Sequence, residues 1–81
     1  MDIKKLYEEL SNHNINEELY YLHGLYGSPY SENKMNLVIV RGRYFIEYWV
    51  YEDERGEKYN LRKFLKEEEA CRFFLKKILL F

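Results

Sequence analysis

Apolar positions at the start of the chain recur at helical spacing. Ile3, Leu6, Tyr7 and Leu10 stand at i, i+3, i+4 and i+7, which sets them on one stripe of an amphipathic helix. Asp2 is placed to cap its start, and Ser11-Asn12-His13-Asn14 ends the pattern. Residues 15–24 read two ways. Asn16 followed by Glu17 and Glu18 has the form of a helix start with Gly24 as its stop. Leu19-Tyr20-Tyr21-Leu22 is also a short strand, and strand is the preferred reading. Residues 24–34 hold Gly27, Ser28, Pro29, Ser31 and Asn33, the punctuation of a loop. Tyr26 and Tyr30 within it are expected to pack on the body or meet a partner.

The pattern then switches to strands. Residues 35–40 include Leu37-Val38-Ile39-Val40, apolar on both faces, as in a strand internal to a sheet. A tight reversal is expected at Arg41-Gly42, with a second strand over residues 43–51. Its period of two puts Tyr44, Ile46, Tyr48 and Val50 on one face and Phe45, Glu47, Trp49 and Tyr51 on the other. Burying the unpaired Glu47 carboxylate would be costly, so the first set is assigned to the core. Residues 52–58 read as a charged hairpin tip pivoting on Gly56, and residues 59–61 as a short third strand. The last helix begins at Lys66, with Glu67-Glu68-Glu69 early and Lys76-Lys77 late, an order that complements the helix dipole. Ala70, Phe73, Phe74, Ile78 and Phe81 form its stripe, with Cys71 and Leu75 beside it. The expected fold is one α+β domain over residues 1–81, an antiparallel sheet of three to four strands packed by an amino-terminal and a carboxy-terminal helix.

Length and composition narrow the function more than the fold. Eighty-one residues form one small domain with little stability margin, which a partner or a second copy (a homodimer) could supplement. Lys and Arg number 13 against 14 Asp and Glu, a net charge of −1, which argues against a general affinity for nucleic acid. One cysteine excludes an internal disulfide, and two distant histidines give no metal-ligand spacing. No apolar run is long enough to span a membrane and no signal peptide opens the chain, so the expected compartment is the cytoplasm. Aromatics make up 19%, nine of them tyrosine, which suits either a small core filled with large side chains or a partly exposed interface.

Candidate chemistry is sparse. Cys71 with His13 or His23 would be a nucleophile and base, but no Gly-rich turn or oxyanion donor accompanies it, and core packing beside Phe73-Phe74 is the simpler reading. Glu52, Asp53, Glu54 and Glu57 crowd one wet tip where nothing shifts a pKa, which argues against acid–base catalysis but leaves them free to meet a basic surface. Arg41, Arg43, Tyr44 and Phe45 give the alternative of a nucleic-acid-binding regulator. The face of Phe45, Glu47, Trp49 and Tyr51 is the strongest signal. With both helices on the other side it would be an apolar patch ringed by charge, unless the amino-terminal segment folds over it.

Tyr48-Trp49-Val50-Tyr51, then Glu54-Arg55-Gly56, then Phe64 and Glu68-Glu69-Ala70-Cys71 leading into Phe73-Phe74-Leu75, resembles small immunity proteins of bacterial polymorphic toxin systems. The likeness spans roughly residues 19–79. It departs where Glu52-Asp53 interrupt an otherwise apolar run and in the loop over residues 26–33. The resemblance implies a compact α+β protein without cofactor, metal or catalysis, whose partner is a cognate protein toxin. On that reading Phe45, Trp49 and Tyr51 anchor the toxin, and Glu47, Glu52, Asp53 and Glu57 steer it. Arg55 and Gly56 are expected to fix a turn.

Overall fold

The amino-terminal stripe folds as helix α1, Ile3–Asn12. The Asp2 carboxylate accepts from the Lys5 backbone N–H at 2.8 Å, satisfying one of the donors that a helix start leaves unpaired. This computed structural model describes residues 1–80; Phe81, assigned to the last helix's stripe by spacing, lies outside the described residues. Both readings of residues 15–24 hold in part. Asn16 caps a 3₁₀ turn, Glu17–Leu19, by accepting from the Glu18 N–H at 2.9 Å. The turn then gives way to strand β1, Tyr20–Leu22.

Four more strands follow: β2, Tyr26–Gly27; β3, Met35–Arg41; β4, Ile46–Glu54; and β5, Glu57–Phe64. Helix α2, Glu67–Leu79, closes the chain with Lys66 as its N-cap. The sheet is five-stranded in the order β2-β1-β3-β4-β5. That corrects the expected three to four antiparallel strands, because β1 runs parallel to β3, pairing Tyr20 with Met35 and Leu22 with Leu37. The cause is the segment after Leu22, which turns back through β2 and then crosses to start β3 at the same end as β1, so two neighbours point the same way. His23 prolongs that pairing beyond the strand. Its N–H donates to Leu37 O at 2.8 Å and its Nδ1 accepts from the Ile39 N–H at 3.0 Å.

Two turns fall elsewhere than the pattern predicts. The β3–β4 connection is not a reversal at Arg41-Gly42 but residues 42–45, closed by the Gly42 N–H donating to Phe45 O at 2.8 Å, with Arg41 opposite Ile46. At the other end, Glu52 and Asp53 belong to β4 and only Arg55-Gly56 turns. Both residues have positive φ, 54° and 84°, the geometry of a two-residue hairpin loop whose twist matches its strands.

One hydrophobic core lies between the sheet's inner face and the two helices. Tyr20, Leu22, Met35, Leu37 and Val50 from the sheet meet Ile3, Leu6 and Leu10 of α1 and Ala70, Cys71, Phe74 and Ile78 of α2. Tyr20 and Phe74 meet edge to face at 6.5 Å, and burying a ring such as Phe74 contributes roughly 1.5–3 kcal/mol. The helices also touch at their starts, where the Ile3 N–H donates to Glu67 Oε2 at 3.0 Å. The alternation assigned to β4 is correct, since Val50 is buried and Tyr48 half-buried on the inner face. Ile46 and Tyr44 of the same set are exposed, the latter by 82%, because the β3–β4 hairpin runs out past the helices.

Candidate partner-binding surface

Both helices lie on the inner face, so the outer face of the sheet has no helix over it. The amino-terminal segment, the alternative cover for it in the sequence, packs on the inner face as α1. Strand alternation sets Glu47, Trp49, Tyr51 and Asp53 outward from β4, with Asn36, Val38 and Val40 beside them on β3. Val38 is opposite Trp49, Val40 opposite Glu47 and Asn36 opposite Tyr51. On the far side β5 brings Lys63 opposite Trp49 and Lys58 opposite Asp53. The Lys63 ammonium stands 4.5 Å from the Trp49 ring centroid and Lys58 5.2 Å from that of Tyr51. Each such cation–ring contact is worth about 0.5–1 kcal/mol at an exposed site. Both rings therefore carry a lysine that a partner would meet first.

The seven residues predicted to bind a partner do not form one surface. Trp49 and Glu47 are half-buried on the outer face, and Phe45, 63% exposed, stands in the connection before β4. Tyr51, expected as an exposed anchor, is only 8% exposed. The loop before β3 is tied across this end of the face. Asn36 Nδ2 donates to the carbonyls of Ser31 and Lys34, at 3.1 and 2.9 Å, and Asp53 N–H donates to Lys34 O at 2.9 Å. Burial, and then the Asp53 carboxylate, hold the Tyr51 hydroxyl above its ordinary pKa. Tyr51 is thus a buried residue of the sheet and not an exposed anchor. Asn36, fully buried opposite it, keeps its Oδ1 without a hydrogen-bond partner among the described residues.

The acids divide as well. Asp53 Oδ1 accepts from the N–H groups of Asn33 and Gly56, at 3.1 and 3.3 Å, so its carboxylate builds the turn. Arg55 joins the same turn through its backbone, its N–H donating to Asn33 Oδ1 at 3.0 Å. Glu52 and Glu57 belong to the inner-face rows, on the opposite side of the sheet from Trp49. Glu52 pairs with the buried Met35, and Glu57, beyond a bulge in the β4–β5 register, pairs with Glu54, two residues after Glu52. There Glu52 Oε2 accepts from Asn60 Nδ2 at 2.6 Å and Glu57 Oε2 from the Tyr59 hydroxyl at 3.0 Å. The Glu57 bond is the main cause of the raised Tyr59 pKa.

Glu52 also borders a feature the sequence did not disclose. A cleft of about 710 Å³ opens between the 3₁₀ segment, the end of α2 and the ends of β3, β4 and β5, with Ile15, Leu19, Met35, Tyr59 and Ile78 in its walls. It exists only because β1 lies parallel to β3 and carries the 3₁₀ turn to that edge. The exposure of Leu19 and Tyr59 is the trace it leaves.

The remaining candidates resolve individually. Cys71 is fully buried, and burial, then the Glu67 carboxylate, push its thiol up to about 12, so no nucleophilic thiolate is available there near neutrality. His23 is engaged with the β3 backbone. Arg41 and Arg43 are exposed at the β3–β4 connection, where the Arg43 guanidinium lies 5.9 Å from the Tyr44 ring centroid. Tyr26, expected in a loop, belongs instead to β2, which pairs with β1, and stacks on Tyr7 at 4.6 Å. Compared with known proteins, the chain matches no family model, no curated protein and no solved structure.

Proposed function

We propose that this chain is a non-catalytic binding protein that neutralises a cognate protein toxin, in the manner of the immunity proteins its sequence resembles, in the cytoplasm of the cell that makes both. The observation carrying this reading is the sheet face left without helical cover, with Trp49 at its centre. Val38 and Val40 flank it, Phe45 extends it before the start of β4, and Lys58, Lys63 and Glu47 ring it. An aromatic residue in an apolar setting with a charged rim is the arrangement that concentrates binding energy at protein interfaces. The rim charges would set on-rate and orientation more than affinity. Displacing Lys63 from the Trp49 ring would free a flat apolar surface for the partner.

The test uses the carboxy-terminal domain of the protein encoded next to this chain, titrated by calorimetry. Trp49→Ala is expected to weaken binding by more than about 1 kcal/mol, roughly fivefold or more, with an unchanged circular dichroism spectrum. Unaltered affinity in a folded variant removes Trp49 from the interface.

A second reading, a nucleic-acid-binding regulator, draws on Arg41 and Arg43 exposed beside Tyr44 and Phe45. Binding to arbitrary DNA that falls steeply with added salt would favour it.

A further inference from the structure

The cleft on the inner face has two properties that together select an occupant. Its floor is apolar, formed by Ile15, Met35 and Ile78, with Leu19 standing at its edge 58% exposed. Its β4 wall is acidic. Glu52 and Glu54 are alternate residues of one strand and project to the same side. Neither has a cationic partner within 4.0 Å among the described residues, and Glu54 accepts no side-chain hydrogen bond there. The lysine in the lining, Lys34, is turned to the Glu32 carbonyl at 3.3 Å. Asp53 also lines the cleft, but its carboxylate is engaged in the turn.

A purely apolar segment entering this cleft would strip water from Glu52 and Glu54 without replacing it, which is costly. An occupant bringing a lysine or arginine next to an apolar side chain satisfies floor and wall together. We infer that the cleft bounded by Leu19, Met35, Glu52, Glu54 and Ile78 is a docking site for a protein segment that presents a basic side chain beside an apolar one. The site is on the other side of the sheet from Trp49, so it stands whether or not that face binds a toxin. Its volume, about 710 Å³, is within the range that holds several side chains rather than one.

The experiment is an amide-resolved NMR titration of the intact chain with the tetrapeptide Ac-Leu-Arg-Leu-Arg-NH₂, using Ac-Leu-Glu-Leu-Glu-NH₂ as the charge-reversed control. Shifts are expected at the amides of Leu19, Met35, Glu54 and Ile78, with the basic peptide only. Glu54→Lys should weaken binding by about fivefold or more, and Glu54→Gln by less, as expected for removal of one charge from a charge-matched contact. Trp49→Ala should leave the titration unchanged, which separates this site from the toxin-binding reading. Equal binding of the acidic peptide, shifts confined to the outer face, or indifference to Glu54→Lys would each overturn the proposal. So would shifts of the same amides on raising protein concentration without peptide, since a second copy would then be the occupant.

Discussion

Gly27 shows how tightly single positions are held. Its φ is +81°, and a Cβ there would stand 2.6 Å from the Tyr20 carbonyl oxygen and 2.7 Å from the Tyr20 ring. Tyr20 is fully buried and cannot retreat. Gly27→Ala combines backbone strain with overpacking and is expected to cost about 2 kcal/mol or more, read as a lower urea midpoint at constant m-value. His23 is the gentler case. His23→Ala leaves the Ile39 N–H without its 3.0 Å acceptor at an exposed site, so a loss near 1 kcal/mol is expected by the same measurement. Neither role was legible in the sequence. Gly27 read as loop punctuation and His23 as a candidate base, because what fixes each is a residue brought near by the fold, Tyr20 in one case and the β3 backbone in the other.

At the level of elements, local pattern and local geometry part company. The alternation of β4 was readable because it depends only on which faces Val50 and Glu47 can afford. The length of β4 was not: Glu52 and Asp53 look like tip residues, yet β5 pairs with them, and the turn shrinks to Arg55-Gly56. Arg55 occupies left-handed space at φ 54° and, among the described residues, makes no side-chain hydrogen bond or ion pair. Asparagine tolerates that conformation far better. Arg55→Asn is therefore expected to raise stability by a few tenths of a kcal/mol, to about 0.5, with the Asn33 contact kept because it uses the backbone N–H. Gly56→Val should do the reverse by more than about 1 kcal/mol. If Arg55→Asn instead destabilises the hairpin, the guanidinium has a structural partner. The parallel pairing of β1 with β3 escaped the sequence for a different reason. Three residues carry no directional signal, and the chain reversal that sets it is spread across residues 23–34.

For the molecule as a whole, the two helices and the sheet enclose two groups that are neutral in the fold and acidic in the open chain. Burial, and secondarily Glu67, move the Cys71 thiol from its ordinary 9.0 up to about 12. Burial, and secondarily Glu17, move the Tyr20 hydroxyl from 10.0 to about 12. A folded-state pKa above the unfolded one means that the contribution to stability is complete below the unfolded value and is lost as pH climbs toward the folded one. Stability should thus begin to fall near pH 9, when the unfolded chain sheds the thiol proton that the native core retains. The fall should steepen near pH 10, when Tyr20 joins. Urea unfolding between pH 8 and 11 measures this directly, and Cys71→Ala isolates the first part. In that variant the decline is expected to start about one pH unit later, whatever the substitution does to stability at pH 8. Native-state thiol labelling should meanwhile follow unfolding and not precede it. Were wild type and Cys71→Ala to run parallel from pH 9 to 10, the thiol would be titrating inside the native protein. The seam between α2 and the sheet would then be open to water, and Cys71 would not be the sealed core residue that its burial makes it.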